Sequence, residues 1–454
     1  MKRTISIVLT ILLVLLSLAG CAEKTRLNPN EPVTLTMWHV YGSQTESPLN
    51  DVIVEFNRTV GKEKGIIVDV VSVTDSTTID EMLIASAKDE PGAVSLPNLF
   101  VAYPRIAEQI GTDRLLDWSA YYSAEELSAY IPSFLSEGYF GDRLLMLPIA
   151  KSTELLFLNK TLFERFAQDA GVKAEDLSVF ESLFAVCDDY YDWSDGQTMF
   201  QINDFYHYFL AAMASIGGEF IVDGTINADS IEFENAYLPM ARAAIYGGLC
   251  VGDGYASDRW KTAEVISNIG STAGILYLRD YVTYSDNTTL DIETSVFAYP
   301  IFSGASPTVV QRGGGLFAIE SEDARLNEAA AVFAKWITMG QPNLDFVTKA
   351  GYLPVTGEAF DLLFTDINMV ENEKYQMLYE TVGAVYNEYD FLALPLYEGS
   401  GAVQSDFEKT LKSVLSTAHE EYVRRTEGGE DGGTVMAELA QSSLSAIRNG
   451  VNGQ

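Results

Sequence analysis

Histidine, cysteine and basic residues are scarce in this chain, and each scarcity excludes a class of protein. There are three histidines and three cysteines, and they form neither a clustered Cys/His metal set nor a His-Glu-x-x-His motif. The 29 Lys and Arg residues are outnumbered by 64 Asp and Glu residues. The resulting negative surface repels nucleic acid and anionic lipid headgroups, and no basic patch interrupts it. We therefore expect no metal or other cofactor and no nucleic-acid partner.

Motifs of common enzyme classes are missing as well. The segment "GSTAG" (270–274) places its serine one position too early for Gly-x-Ser-x-Gly, and no phosphate-binding Gly-x-x-x-x-Gly-Lys-Ser/Thr loop is present. A glycosidase needs two facing carboxylates. Among 64 acidic residues many pairs are conceivable, so composition says nothing about that class. We predict that the protein is not an enzyme.

The first twenty residues have the pattern of a secretory signal peptide. Lys2 and Arg3 precede an apolar run over 5–18, which is shorter than the roughly 20 residues needed to cross a bilayer. The Leu-Ala-Gly-Cys ending resembles a bacterial lipoprotein box, which implies cleavage before Cys21 and a lipid on its sulfur; simple secretion is the alternative. Residues 21–32 are polar and contain two prolines, which predicts a tether.

Besides Cys21, such a cleavage leaves Cys187 and Cys250, and both lie in apolar-rich segments. Their spacing leaves open whether they form a disulfide or remain buried thiols. The length of the chain and its 47% hydrophobic residues allow more than one buried core. Two domains are therefore expected.

Strand-like and helix-like segments alternate after the tether. The predicted strands cover 33–41, 65–73 and 98–103, and apolar residues at helical spacing fill 49–56 and 77–87 between them. This alternation argues for a mostly parallel sheet with helices on both faces.

Local motifs add detail to this pattern. Capping boxes at Ser123 and Ser178 predict two helix starts, and Asp223-Gly224 predicts a tight hairpin turn. A predicted helix over 323–339 has its apolar residues at core spacing.

In their order along the chain, these segments resemble the extracellular solute-binding proteins of bacterial ABC importers, specifically the large family that binds maltose, oligosaccharides and glycerol 3-phosphate. Single matches are weak, but their order after a lipoprotein box is specific. The matching segments are "LTMWHVYG" (35–42), "EFN" (55–57), "LLMLPIAKSTELLFLNKTLFERF" (144–166), "IGGEF" (216–220), "IGSTAGI" (269–275), "FAYPIF" (297–302), "RGGGLFAI" (312–319), "AAAVFAKWI" (329–337) and "AGYLPVTGEAF" (350–360).

The resemblance implies an α/β fold of the two-lobed periplasmic-binding-protein type (type II). Each lobe would be a mixed, mostly parallel sheet flanked by helices, with crossover strands at a hinge. Such sheets bind ligands beyond the carboxyl ends of their strands, and two hinged lobes can close around a ligand. The expected bounds are 33–149 plus 301–350 for lobe one, 150–300 plus 351–450 for lobe two, and 148–153 and 299–302 for the crossings.

The resemblance also implies a function. The protein would be a monomeric lipoprotein that captures a mono- or oligosaccharide and delivers it to the transmembrane subunits of an ABC permease. The lipid on Cys21 would hold it on the outer face of the cytoplasmic membrane. The alternatives are a receptor for glycerol 3-phosphate or another polar solute, a surface glycan-active enzyme and a sensor lipoprotein.

One departure from the family bears on the ligand. Glycerol-phosphate binders tend to supply an arginine before the late helix, but the corresponding segment here, 391–411, contains no arginine. A phosphate without a guanidinium partner loses its usual recognition chemistry. This favours a neutral carbohydrate and leaves Arg312 as a possible substitute.

The candidate ligand-binding residues combine aromatic rings, which stack on sugar faces, with polar groups that bind hydroxyls. Trp38 and Tyr41 would lie at the end of the first strand, whereas His39 points to the other side and is assigned to the core. The alternative role is packing or helix capping for most candidates, a solvated strand position for Glu154 and a β-bulge for Gly314. The full set is Trp38, Tyr41, Tyr103, Ser152, Glu154, Asp204, His207, Ser271, Thr272, Gly314 and Tyr352.

Overall fold

A computed structural model describes residues 26–41, 47–74, 76–370, 372–397 and 399–452. The predicted signal peptide and Cys21 lie outside these residues. The strands are β1 (Val33–His39), β2 (Ile66–Ser72), β3 (Leu99–Ala102), β4 (Tyr139–Phe140), β5 (Arg143–Leu144), β6 (Glu154–Asn159), β7 (Phe200–Ile202), β8 (Ile221–Val222), β9 (Thr225–Ile226), β10 (Leu249–Cys250), β11 (Ser267–Ser271), β12 (Tyr281–Thr283), β13 (Thr289–Asp291), β14 (Thr294–Phe297), β15 (Thr308–Val310), β16 (Gly315–Ala318) and β17 (Asp390–Leu392).

Helices connect and cover these strands. The α-helices are α1 (Pro48–Arg58), α2 (Val60–Lys64), α3 (Ser76–Ala87), α4 (Ile106–Ile110), α5 (Ala124–Ser128), α6 (Pro132–Ser136), α7 (Lys160–Ala170), α8 (Phe180–Trp193), α9 (Phe205–Ser215), α10 (Ile231–Tyr246), α11 (Ala256–Trp260), α12 (Ala324–Thr338), α13 (Gly340–Ala350), α14 (Gly357–Thr365), α15 (Glu373–Glu388), α16 (Ser400–Glu427) and α17 (Gly432–Asn452). Short 3-10 helices occupy Thr112–Arg114, Trp118–Ala120, Ala174–Ser178, Thr272–Tyr277 and Ile367–Met369.

The first lobe is built on a four-stranded sheet in the order β16-β3-β1-β2. β1 pairs in parallel with both β2 and β3, and β16 runs antiparallel to β3. Alternate residues of β1 enter different cores, because Leu35 packs with Phe56 on one face while Trp38 packs with Phe100 on the other. Both faces of this central strand are therefore covered, as is usual for parallel sheets.

The second lobe contains a five-stranded sheet in the order β10-β7-β11-β6-β14. Here β10, β7 and β11 are parallel to one another, and β6 pairs antiparallel with β11 and β14. Every residue of β6, whose sequence is ELLFLN, is buried, which explains its almost uninterrupted apolar run. The two mixed sheets, each flanked by helices, form the two-lobed α/β fold that the sequence predicted.

The chain passes between the lobes where three segments lie side by side. Ser152 forms an isolated bridge with Arg312, and Lys151 forms one with Leu353. We name this region, residues 147–154, 310–316 and 351–355, the crossing. The predicted crossing at 299–302 is not part of it. Those residues pack in the second lobe, since both Tyr299 and Phe302 lie against the ring of Phe180.

Two of the three local motifs are confirmed. Ser123 and Glu126 form the predicted capping box of α5, and Asp223 and Gly224 turn the β8–β9 hairpin with positive φ angles of 49° and 77°. The capping box at Ser178 was wrong, because α8 has Val179 at its N-cap and the Ser178 hydroxyl donates to the Glu175 carbonyl instead.

Two further findings concern a disulfide between the cysteines and a membrane-spanning helix. Cys187 and Cys250 are both free thiols, and Cys187 is buried. Within the described ranges, no helix combines the length and the apolar character required to cross a bilayer.

Candidate functional site

A cavity of about 530 Å³ lies between the two lobes, and we call it the cleft. The carboxyl ends of parallel strands from both sheets meet there. Tyr41, Thr74 and Tyr103 follow the strands of the first sheet, and Asn203 and Ser271 lie at strand ends of the second. Loops at such strand ends are the usual ligand site of open α/β sheets, because side chains converge there without interrupting a strand.

Amide and hydroxyl groups line one side of the cleft. Asn203, Asn268, Ser271 and Ser152 all face it, and the buried Oδ1 of Asn268 has no hydrogen-bond partner among the described residues. Gly270 makes room for the two amides, since a Cβ atom there would lie 2.6 Å from Nδ2 of Asn203 and 3.1 Å from Nδ2 of Asn268. These groups can donate to and accept from the hydroxyls of a polar ligand.

Tyrosine rings line another part of the cleft, which is also bordered by the Asp258–Lys261 ion pair. Tyr41 is buried and packs edge-on against Tyr352, with ring centroids 5.0 Å apart. Its buried hydroxyl has no partner within the described part of the chain. Tyr255 and Tyr277 also line the cleft, and they are 67% and 49% exposed. Exposed rings of this kind can be covered by a ligand, so these two offer stacking surfaces in the site.

A buried charge network lies at the edge of the cleft. Nη1 of Arg312 donates to Oε1 of Glu154 over 2.9 Å, and Nδ1 of His207 lies 3.1 Å from the same oxygen. Asp204 caps helix α9, because its Oδ1 accepts from the backbone N–H of His207, and its Oδ2 lies 3.3 Å from Nδ1 of His207. Glu408 joins the network from helix α16, where its carboxylate accepts from the backbone N–H of Tyr206.

Proton affinities in this network follow from burial and from neighbouring charges. Burial opposes the ionisation of Asp204, but its interactions with His207 and Arg312 outweigh it and lower the pKa of Asp204 below its usual range. Burial, followed by the negative charge of Asp204, raises the pKa of Glu408 to about 7. Burial also disfavours the charge on Arg312, yet Glu154 and its neighbours hold the pKa of Arg312 above its ordinary value. The network therefore keeps Arg312 positive and Asp204 negative at neutral pH.

A second cavity of about 830 Å³ adjoins the cleft. Tyr103, Asp204 and Arg312 line both cavities and so form the wall between them. His207 and Glu408 line only the second one. Arg312 is therefore accessible to a ligand from either space.

Most of the residues singled out from the sequence come together here. Those that line the cleft are Tyr41, Tyr103, Ser152, Asp204, Ser271, Gly314 and Tyr352, and His207 lines the second cavity. Facing a cavity is a position and not yet a contact with a ligand, so their binding role stays a proposal.

Packing separates the other three candidates from the cleft. Trp38 is 5% exposed and lies in the core of the first lobe among Phe100 and Phe317. Thr272 is fully buried at the start of a 3-10 helix, where its N–H donates to the carbonyl of Thr153. Glu154 is buried behind Arg312 and faces neither cavity. We therefore remove Trp38, Thr272 and Glu154 from the set of proposed ligand contacts.

Several residues that line the cleft were not singled out from the sequence. They include Tyr255, Tyr277, Asn203 and Asn268. Tyr277 ends the 3-10 helix that follows "IGSTAGI", so extending that motif by two residues would have found it. Asn268 lies inside β11, and nothing in the local pattern distinguishes it from a core residue.

Comparison with known proteins places this geometry in a family. The family model of the bacterial extracellular solute-binding proteins matches residues 52–375. A search of curated protein sequences gave no match.

Solved structures of similar shape include the cyclic alpha-maltosyl-1,6-maltose binding protein of Arthrobacter globiformis, with 16% identity, coverage of 92% of this chain and 100% of that chain, and a TM-score of 0.65. UgpB of Mycobacterium tuberculosis in complex with glycerophosphocholine is 15% identical, and the match covers 92% of this chain and 98% of that chain with a TM-score of 0.67. Maltose-bound MalE3 of T. maritima is 17% identical, and the match covers 90% of this chain and 98% of that chain with a TM-score of 0.63.

At these identities the likeness to solved structures establishes the two-lobed fold. The family match covers most of the chain and includes every strand of the two main sheets except β1. The chain therefore belongs to the bacterial extracellular solute-binding proteins, which bind a solute and do not transform it.

Proposed function

We propose that this protein captures an uncharged carbohydrate between its two lobes and delivers it to the transmembrane subunits of an ABC importer. The observation that carries the proposal is the lining of the cleft, where tyrosine rings face amide and hydroxyl groups. Ring faces suit the C–H faces of a sugar, and amides and hydroxyls suit its hydroxyl groups. The family to which the chain belongs supports the role as a transport receptor.

The proposed mechanism begins with the open cleft. A sugar ring would lie against the exposed Tyr277 or Tyr255 of the second lobe, while Tyr41 and Tyr103 approach from the first lobe. Rotation of the lobes about the crossing would bring the two sides together and exclude water. Ligand binding would favour this closed form because only there does the ligand contact both lobes.

A phosphate-bearing solute is the competing ligand. Arg312, which lines the cleft, is the observation in its favour, and UgpB, one of the similar structures, is in complex with glycerophosphocholine. Against it, the guanidinium already donates to Glu154. We therefore favour the neutral carbohydrate.

We further propose that a lipid on Cys21 anchors the protein to the outer face of the cytoplasmic membrane. The support comes from the sequence, because Cys21 lies outside the described residues. Replacement of Cys21 by serine should release the protein from the membrane fraction, and mass spectrometry of the membrane form should show the lipid. A Cys21→Ser protein that stays in the membrane fraction would contradict this proposal.

A thermal-shift screen across neutral saccharides, polyols and glycerol phosphates tests the ligand class. A ligand that binds the native form raises the melting temperature, and titration calorimetry then gives its affinity. We expect a neutral saccharide to bind and to be recovered unchanged after incubation. If no saccharide or polyol raises the melting temperature, the carbohydrate proposal is wrong.

A further inference from the structure

Arg312 borders both of the spaces between the lobes in which a ligand could bind. It lies in the crossing, where its backbone N–H donates to the carbonyl of Ser152 over 2.7 Å and its carbonyl accepts from Ser152 over 2.9 Å. These bonds fix the backbone that carries the guanidinium. The side chain lines both the cleft and the adjoining cavity. Two other cations line these spaces, Lys261 in the cleft and Arg105 in the second cavity, and each forms an ion pair with an aspartate. Arg312 is the cation that a negatively charged ligand could meet from either space.

The carboxylate of Glu154, which lines neither cavity, forms an ion pair with Arg312. Glu154 is the first residue of β6, and it is 1% exposed. Its Oε1 accepts from Arg312 and lies 3.1 Å from Nδ1 of His207, and its Oε2 is buried without a hydrogen-bond partner among the described residues. A ligand cannot contact Glu154 directly, so the carboxylate can act on a ligand only through its electrostatic field.

A second carboxylate strengthens this effect. Asp204 lines both cavities together with Arg312, and it also lies 3.3 Å from Nδ1 of His207. Within this network the guanidinium of Arg312 is thus set against two carboxylates, one of which faces the ligand. In a partly buried site such charges are weakly screened. An incoming anion would therefore meet repulsion from Asp204 and Glu154 that cancels the attraction of Arg312.

We propose that Glu154 is a specificity-determining residue that makes the site reject anionic solutes, by neutralising Arg312 from outside the ligand space. The proposal rests on the proposed function, because it explains which members of the polar-solute class the receptor takes. Specificity of this kind comes from a repulsive element built against the wrong ligand and not from an added contact to the right one. Sugar phosphates, uronates and glycerol phosphates are excluded, whereas uncharged saccharides and polyols are admitted.

The substitution Glu154→Gln tests the role of the charge, since it keeps the size of the side chain. It leaves Arg312 with one carboxylate fewer, so glycerol 3-phosphate and inorganic phosphate should raise the melting temperature of the variant and not that of the wild type. By calorimetry we expect affinity for glycerol 3-phosphate to increase at least about tenfold, the scale of removing a close like charge. Affinity for a neutral saccharide that binds the wild type should change much less.

Two controls separate this effect from a general change of charge. Glu293→Gln alters the formal charge equally, but Glu293 is exposed and pairs with Lys160, so it should gain no anion binding. Adding Arg312→Ala to Glu154→Gln should abolish the gain, because the guanidinium that Glu154 pairs with in the wild type is then missing.

The wild-type protein gives a result that does not depend on whether the variant folds. If it binds glycerol 3-phosphate, the inference is wrong even though the receptor function stands. A Glu154→Gln protein with native circular dichroism and no gain in anion binding also overturns it. If instead no neutral saccharide binds the wild type but the variant gains anion binding, the proposed carbohydrate function fails and the role of Glu154 holds.

Discussion

Lys151 and Glu137 form an ion pair that is buried where the chain passes between the lobes. The side chain of Lys151 is completely buried and that of Glu137 is 8% exposed. Besides Glu137, Nζ of Lys151 donates to the carbonyl of Gly313 over 3.0 Å. The pair therefore ties the first lobe to two segments of the crossing.

Lys151→Met should destabilise the protein by roughly 3–5 kcal/mol, because it leaves the carboxylate of Glu137 buried without its cation. The double variant Lys151→Met/Glu137→Leu should recover part of this loss, since it buries no unpaired charge. Urea denaturation of the wild type, both single variants and the double variant measures the coupling. Strictly additive effects would show that the two side chains do not stabilise each other.

Tyr277→Ala should weaken the binding of whichever saccharide the screen identifies by about 1 kcal/mol, the usual scale of an aromatic contact. The ring is half exposed in the cleft, so its removal should change the unfolding free energy little. Calorimetry and urea denaturation measure the two quantities separately. Unchanged affinity would exclude Tyr277 from the binding surface.

Trp38→Ala should lower stability and leave ligand affinity nearly unchanged, the reverse of the result expected for Tyr277→Ala. Because Trp38 is buried against Phe100, its truncation should cost about 3–5 kcal/mol of unfolding free energy through loss of packing. Any variant that still folds should bind the saccharide with nearly the wild-type affinity. A selective loss of affinity at unchanged stability would restore Trp38 to the site.

Glu408 should make stability depend on pH. Burial and then the charge of Asp204 raise its pKa from 4.5 to about 7, so the folded protein keeps a proton that the unfolded chain releases. This contribution to stability is complete below pH 4.5 and is lost as the pH rises through 7. Near the carboxyl group lie Asp204, Lys412 and the backbone N–H of Tyr206, and His207 lines the same cavity.

Glu408→Gln should therefore gain stability relative to the wild type as the pH rises from 5 to 8, by roughly 1–3 kcal/mol. Urea denaturation at both pH values measures the difference. Glu420→Gln, on the same helix but exposed, serves as the control. A stability difference between Glu408→Gln and wild type that is the same at both pH values would contradict the assignment.

Gly314 should not tolerate a side chain. A Cβ atom there would lie 2.4 Å from the carbonyl oxygen of Ala102, so Gly314→Ala must push the crossing away from β3. We expect a loss of about 1–3 kcal/mol, the usual cost of overpacking. Gly274 lines the same cleft with open space where a Cβ atom would lie, and Gly274→Ala should stay within about 0.5 kcal/mol of the wild type. Equal stability of the two variants in thermal unfolding would contradict this account.

The fold could be predicted largely from local pattern. Strand segments such as 66–72 and helices such as 76–87 have the period of their own secondary structure, and this signal needs no knowledge of the rest of the chain. The resemblance to a family then supplied the pairing of the segments into two lobes.

The site was predicted less well, and Trp38 shows why. Alternation along β1 tells which residues share a face, but β1 lies between β2 and β3 with both of its faces covered. No sequence pattern says which end or face of such a strand opens to a cavity. The ring at Tyr41, just beyond the strand, faces the cleft instead.

Contacts between segments that are distant in the sequence also could not be predicted from local patterns. Glu154 and Arg312 are 158 residues apart, and each alone has the pattern of an ordinary polar residue near a strand. Only the crossing brings them together, so the ion pair between Arg312 and Glu154 follows from topology and not from either local motif.

The antiparallel edge strand β16 completes the first sheet from a late part of the sequence. When the polypeptide emerges with its N-terminus first, all five strands of the second sheet are made before residues 315–318 appear. Until then β3 presents an unpaired edge, which is a template for wrong pairing and aggregation. Completion of the N-terminal sheet must therefore wait until the other sheet has been synthesised, and a nascent chain halted before β16 would be a natural client for chaperones.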